Sequence, residues 1–290
     1  FLTQSVWCMF AEDLGMLEGY PFQRTLGRLL DTPGASPAAE LGYLFRLLNK
    51  VSGHTSEGPF AGTQYVNGEL FAEPAELDLS REELLLLREA SEFDWRQVDP
   101  TIFGSLLEGV LGHERRWELG AHYTHEVDIM KIVEPVITRP WRERISAIDS
   151  PDAGVVLLDE LCAFRVLDPA CGCGNFLYVA YRELRSLEAE LKARIGSLAR
   201  ERGLPAPDLA GRYYPLRNLQ GLDIERTAVQ IARVTLWMGH RQMVDRFGPA
   251  ENPLPLQDLS GIAVADALRV PWPQTDAIIG NPPFLGDRNL

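Results

Sequence analysis

The sequence predicts an α/β domain built on a parallel sheet, preceded by a helical N-terminal region. Three observations lead there. The stretch Val166-Leu167-Asp168-Pro169-Ala170-Cys171-Gly172-Cys173-Gly174-Asn175-Phe176-Leu177 reads as a strand ending in an acid, a tight Gly-x-Gly turn and the start of a helix. Three later apolar runs, around Leu222, Val264 and Ile278, also end in polar residues and are separated by helical or loop-rich stretches. Before about residue 118, the apolar residues instead keep helical spacing.

The chain has 290 residues, room for one large domain or two ordinary ones. Its 46% hydrophobic and 24% charged residues are those of a globular protein, and no apolar run approaches the roughly 20 residues that span a bilayer. It opens at Phe1 rather than Met and stops soon after a motif, so a fragment of a longer protein is expected. The net charge is −13. A free-standing DNA binder carries a basic surplus or a basic face. Here the densest cationic stretch is Arg139, Arg142 and Arg144, which fits a solvated helix end. If the substrate is nucleic acid, most of the grip belongs to parts of the protein outside this chain. Cys8, Cys162, Cys171 and Cys173 form no Cys-x-x-Cys pair, and His122 and His125 have no second ligand pair nearby in sequence. A reduced, cytoplasmic protein without a metal site is expected.

In chain order, Phe1, Val6, Phe10, Leu14 and Leu17 share one helical face, and so do Leu41, Leu44, Phe45 and Leu48. Asp31-Thr32-Pro33-Gly34 breaks the pattern, Asn67-Gly68 marks a turn, and Ser80-Arg81-Glu82-Glu83 is a capping box. Ile102, Leu106 and Val110 carry a last helix of this region. After the Gly120-to-Thr124 joint, Thr124 is a candidate N-cap for a helix over 126–137, which Pro135 bends or ends. Val155 to Leu158 and Arg165 to Leu167 flank an irregular segment, the second being the strand into the glycine turn. Leu177, Tyr181, Leu184, Leu187, Leu191, Ile195 and Leu198 keep one apolar face of a long helix, and 205–215 is loop. A strand over 219–224, a helix over 227–238, a loop over 249–255, and strands over 262–266 and 276–280 complete the order.

A parallel sheet gathers ligands at the carboxyl ends of its strands. Asp168, Asp223, Asp266 and Asn281 each occupy such an end. A glycine pair alone fits any strand-to-helix turn in an α/β protein. An acid just before the glycines, however, repels a pyrophosphate and suits a cation, which points to S-adenosyl-L-methionine with its sulfonium and ammonium. Asp223 lies 223 − 168 = 55 residues beyond Asp168, against about 20 in dinucleotide folds. The long helix and Pro-rich loop account for the excess. Asp223 suits ribose hydroxyls and Asp266 an exocyclic amine of adenine. In Asn281-Pro282-Pro283-Phe284, the prolines fix the backbone, so the Asn281 side-chain oxygen and the Pro282 carbonyl can take both protons of an amino group. Phe284 offers a face for a flat ring, which suits a base turned out of a duplex.

These two motifs resemble those of amino-group DNA methyltransferases: Asp168-Pro-Ala-Cys-Gly-Cys-Gly-Asn175 their cofactor loop, and Asn281-Pro-Pro-Phe284 their catalytic loop. The order, with Gly120-Ala-His-Tyr-Thr124 first and the catalytic loop last, is similar to the γ arrangement of adenine-N6 enzymes. Phe10-Ala-Glu-Asp13, Tyr65-Val-Asn-Gly-Glu-Leu-Phe71 and Phe103-Gly-Ser-Leu-Leu-Glu108 resemble the helical spacer of large single-chain type IIL restriction-modification enzymes. The resemblance implies a spacer over 1–118 and, over 119–290, a Rossmann-like S-adenosylmethionine-dependent methyltransferase domain with a truncated parallel sheet. It implies Thr124, Asp168, Ala170, Gly172, Gly174, Asn175, Asp223, Ile224 and Asp266 at the cofactor, and Asn281, Pro282 and Phe284 at the target adenine. Cys173 departs from the usual serine, at the cost of a hydroxyl contact. The resemblance further implies a nuclease upstream of Phe1, and later strands with a target-recognition domain for double-stranded DNA beyond Leu290. Cytosine-N4 methylation would use the same loop, and so would glutamine methylation of a protein, against which the helical front and His-Tyr-Thr argue. A non-catalytic scaffold between nuclease and DNA reader is the alternative of another class.

Overall fold

Residues 1–50, 60, 69–102, 124–248 and 259–283 are described by the structure, a computed structural model. Two compact units emerge, Phe1–Asp99 and Pro100–Leu290. The expected boundary at 118/119, the Asn67-Gly68 turn, the helix beyond Ile102 and the loop over 249–255 lie outside the described residues.

The first unit packs four helices, α1 (Leu2–Asp13), α2 (Pro21–Asp31), α3 (Pro37–Leu48) and α4 (Arg81–Ala90). Proline opens α2 and α3, where a missing N–H costs nothing. Ser80 and Glu83 form both bonds of the capping box that starts α4. Trp7, Phe45 and Phe71 meet in the core, with ring centroids 5.3 Å apart for Trp7–Phe71 and 5.7 Å for Phe45–Phe71. The buried Gln4 side chain donates to the Leu70 carbonyl at 2.8 Å and accepts from the Ala75 N–H at 3.1 Å, tying the chain after α3 back to α1. The apolar spacing through Leu17 outruns α1, because Leu17 is buried from the turn that follows it.

From residue 124 on, the described part of the second unit runs through α5 (Glu126–Val133), a π-helical turn at Glu134–Thr138, α6 (Arg139–Ala147) and α7 (Pro151–Ala163). Pro135 interrupts the α ladder without ending the helix. The wider π turn accommodates the missing N–H and the ring, and the chain continues into α6. The N-cap of α5 is His125, not Thr124, and it makes no side-chain capping bond. The segment expected to be irregular after Leu158 is helical through Ala163. Ser150 caps α7 through the Ala153 N–H, and Leu157, Leu158 and Leu161 form its buried stripe.

Among the described residues, four strands follow: β1 (Val166–Asp168), β2 (Leu219–Asp223), β3 (Ile262–Val264) and β4 (Ala277–Ile278). They form one parallel sheet in the order β3-β2-β1-β4. β1 is therefore flanked by β2 on one side and β4 on the other, and its carboxyl end is the topological switch point. α8 (Asn175–Glu201) and α9 (Arg226–Phe247) pack on each other; α8 also packs on α7, and α9 on β2 and β3. α9 extends well beyond Met238, and Met243 and Val244 are buried in its last turns. Within α8 the buried Glu188 accepts from Lys192 at 2.7 Å and from the Tyr214 N–H at 2.8 Å, and pairs with Arg185 at 3.0 Å. That network ties the loop before β2 to the helix. Arg139, Arg142 and Arg144 pair with Glu134, Glu190 and Glu160 on the exposed surface, where such pairs contribute little.

α8 and α9 touch most closely at Gly239, where a Cβ would lie 2.4 Å from the Tyr178 ring. Tyr178 is buried and cannot swing aside. Gly239→Ala is expected to destabilise the second unit by about 1–3 kcal/mol, read as a lower urea midpoint at unchanged slope.

Candidate active site

The site grows from the end of β1. Asp168 turns the chain by accepting the Ala170 N–H on Oδ1 at 3.0 Å. The next residue is anchored to β2, since the Cys171 N–H donates to the Leu222 carbonyl at 2.9 Å. Gly172 then donates its N–H to Asp223 Oδ2 at 2.9 Å, and the Glu225 N–H donates to Asp223 Oδ1 at 2.9 Å. One carboxylate thus holds the glycine turn on one side and the start of α9 on the other. Each of its oxygens keeps a lone pair for a ligand hydroxyl.

The two glycines of the turn serve different ends. Gly172 has φ +52° and faces open space, with nothing within 4 Å of a would-be Cβ, so a ligand can approach its backbone. Gly174 has φ +83° and is pressed against α9, where a Cβ would lie 3.0 Å from Ala232 Cα. Asn175 opens α8 with its side-chain oxygen buried and unpartnered. Asp168 Oδ2 is likewise buried without a partner among the described residues. Two orphaned acceptors on one turn call for a ligand that donates. Burial pushes the Asp168 carboxyl up to about 7, and the negative charge of Asp223 adds to the shift against the opposing Ala170 N–H. Burial also pushes the Cys171 thiol up.

The other strand ends converge on the same edge. Ile224 follows Asp223 and is 63% exposed, an aliphatic side chain left open beside the turn. Ala265 donates its N–H to the Asp223 carbonyl at 2.8 Å, which sets Asp266 just beyond it. The Asp266 carboxylate is engaged by its own turn, accepting from Leu268 N–H at 3.0 Å and pairing with Arg269 at 3.1 Å. On the far side of β1, the Ile279 N–H donates to the Leu167 carbonyl at 2.9 Å, and Gly280 then passes over Asp168. A Cβ on Gly280 would lie 2.5 Å from Asp168 Oδ1. Asn281, Pro282 and Pro283 are exposed beyond it. The Asn281 side-chain N–H group donates to Thr124 Oγ at 3.5 Å, so its Oδ1 is not the atom used in that contact. Phe284 lies outside the described residues. The described residues hold no group of three or more His, Cys, Asp or Glu side chains fit for a metal ion, and none of their helices is long and apolar enough to cross a membrane.

Comparison with known proteins fits this arrangement. Residues 146–290 match the family profile of the MmeI DNA-methyltransferase domain, and residues 1–71 that of the MmeI helicase spacer domain. The chain belongs to the MmeI DNA-methyltransferase family. DNA methyltransferase A of Bacillus subtilis (strain 168) is 31% identical over 309 residues, covering 99% of this chain and 34% of the relative. The type IIL restriction-modification enzyme MmeI, solved in complex with DNA, superimposes with a TM-score of 0.76 at 29% identity, covering 93% of this chain and 37% of that one. The chain thus spans about a third of the length of each.

Two residues of this MmeI-family site escaped the reading of the sequence. Gly221 lies inside β2, where a Cβ would stand 2.9 Å from both Cys171 Sγ and Leu177 Cδ1. Gly280 admits Asp168 against the root of the Asn-Pro-Pro loop. A glycine within a strand, and one directly before a rigid loop, are the signals that mark them.

The turn glycines should separate on substitution. Gly174→Ala is expected to lower the thermal midpoint more than Gly172→Ala, since it adds a clash with α9 to the backbone strain that both share, about 1–2 kcal/mol. Scanning calorimetry of the two variants checks the order.

Proposed function

We propose that this chain is the methyl-transfer core of a type IIL restriction-modification enzyme that methylates adenine N6 in double-stranded DNA with S-adenosyl-L-methionine as donor. The observation that carries the reading is the meeting of Asp168 with Gly280-Asn281 at the switch point between β1 and β4, a donor-seeking turn beside an amino-accepting loop. The residues fit the donor. The orphaned Asp168 and Asn175 oxygens suit its cationic methionine end, Gly172 and Ala170 offer open backbone, Asp223 has lone pairs for ribose hydroxyls, and Ile224 offers an apolar face to the base. Gly174 supports this turn by packing on α9. Thr124 is assigned to orienting Asn281, whose side chain donates to it, and Asp266, just beyond β3, to the adenine amine.

When bound, the donor supplies an electrophilic methyl group on a sulfonium. The chain's own part is to prepare the amine. An adenine amino group is a poor nucleophile because its lone pair is conjugated with the ring. Asn281 Oδ1 and the Pro282 carbonyl, accepting hydrogen bonds from its two N–H groups, draw the nitrogen toward tetrahedral geometry and free the lone pair for in-line attack, and the surplus proton leaves to solvent after transfer. Phe284 stacks the extruded base. No strong base is needed, and positioning with electrostatics supplies the rate. A nuclease before Phe1 and a target-recognition domain after Leu290 would complete such an enzyme, and they would supply the grip on DNA that a chain of net charge −13 does not advertise. A cytoplasmic location follows from that role.

Nucleoside mass spectrometry of duplex DNA treated with the intact protein tests the target. N6-methyladenine is expected, whereas N4-methylcytosine or unmodified DNA would overturn the adenine reading. Asn281→Ala is expected to lower the transfer rate by about 100-fold or more while leaving donor binding unchanged. Asp223→Ala is expected to abolish saturable donor binding in calorimetry, with circular dichroism confirming the fold.

A further inference from the structure

Asp168 is 1% exposed, and its environment treats the two charge states of the carboxyl very differently. Oδ1 has the Ala170 N–H, while Oδ2 has no partner. The described elements around it bring no counter-ion that shifts it. β2 brings Asp223, an anion. The turn brings Cys171, whose thiol burial keeps protonated. β4 brings the bare backbone of Gly280, followed by uncharged Asn281 and Pro282, and α8 opens on uncharged Asn175. Among the described residues, no cation is one of the groups that shift Asp168. A buried anion with one hydrogen bond and an anionic neighbour is costly, and a proton is the simplest way to remove the charge.

We propose that Asp168 selects the ligand by charge: it is neutral in the ligand-free chain and ionises when a cationic group enters the cofactor site. This rests on the reading of that site as one for S-adenosylmethionine. The exchange balances as carboxylic acid plus cation giving carboxylate–cation pair plus one proton released to solvent. Burial and Asp223 push the free carboxyl up to about 7. The direction follows from linkage. Below about pH 7 the cation must displace a proton, so affinity falls by about tenfold per pH unit; above it, no proton remains to displace. A neutral ligand of the same shape has no such dependence.

Calorimetric titration of the intact protein with S-adenosylmethionine, in two buffers of different ionisation enthalpy, counts the protons. Release of a large part of one proton per ligand is expected at pH 6, and less at higher pH. Asp168→Asn keeps the shape and should bind more weakly with no release at either pH. Infrared difference spectra of the unmodified protein give a second readout that needs no variant: the carbonyl band of a protonated carboxyl should disappear on binding. A parallel titration with S-adenosylhomocysteine, which keeps the ammonium and lacks the sulfonium charge, locates the cation. Equal release assigns the ammonium, release with the methyl donor alone assigns the sulfonium, and both support the proposal. Saturable binding with equal heats in both buffers at pH 6, or release that persists in Asp168→Asn, would overturn the proposal and leave the cofactor reading intact. No binding of either ligand would overturn both.

Discussion

A parallel sheet has one place where neighbouring connections leave in opposite directions, and here it lies at the end of β1. What fills that place is a carboxyl group rather than an apolar side chain. Asp168 must turn the chain, avoid Asp223, and fit beneath the backbone that leaves β4. The glycines at 174 and 280 follow from this crowding, each where backbone comes close to another helix or a side chain, while Gly172 turns the chain at positive φ facing open space. Asp223 relieves the strain on the opposite side by taking two N–H groups that the tight turn and the start of α9 would otherwise leave unpaired. The turn, the first helix residue and the Asn-Pro-Pro loop are thus placed by one buried acid and one half-buried one.

Much of this was legible in the sequence because strand ends in such a sheet are marked chemically. Asp168, Asp223, Asp266 and Asn281 break apolar runs abruptly, and a run broken that way is short of alternatives. The long helix after Phe176 declared itself through an unbroken apolar face. The errors have physical causes too. Val155 to Leu158 are β-branched or apolar and look strand-like. Ser150-Pro151 starts a helix through them all the same, because its buried stripe needs Leu157, Leu158 and Leu161 together. Thr124 has the right chemistry for an N-cap, yet its hydroxyl is used by Asn281, a partner 157 residues away that local reasoning cannot see. Gly221 and Gly280 went unnoticed for a related reason: a glycine's value lies in what approaches it from elsewhere.

Electrostatics in the second unit are organised locally. Arg139, Arg142 and Arg144 on α6 are paired with acids on the π turn, α8 and α7 respectively. At the carboxyl ends of the strands, acids prevail, and the site favours a small cation over a polyanion. A charge balance of this kind suits the proposed methyl donor better than a nucleic-acid backbone.

The connections of the sheet differ in character at its two ends. At the carboxyl ends the chain turns within a few residues, every step fixed by a hydrogen bond. Between α8 and β2 it instead wanders through exposed Gly203, Leu204, Pro205 and Ala206 before Tyr214 is buried again. Length has therefore been absorbed on the side of the domain where no chemistry happens. That stretch is the natural place to attach a fluorophore or to open the chain for permutation, since changes there are insulated from the site by the full length of a 27-residue helix, roughly 40 Å.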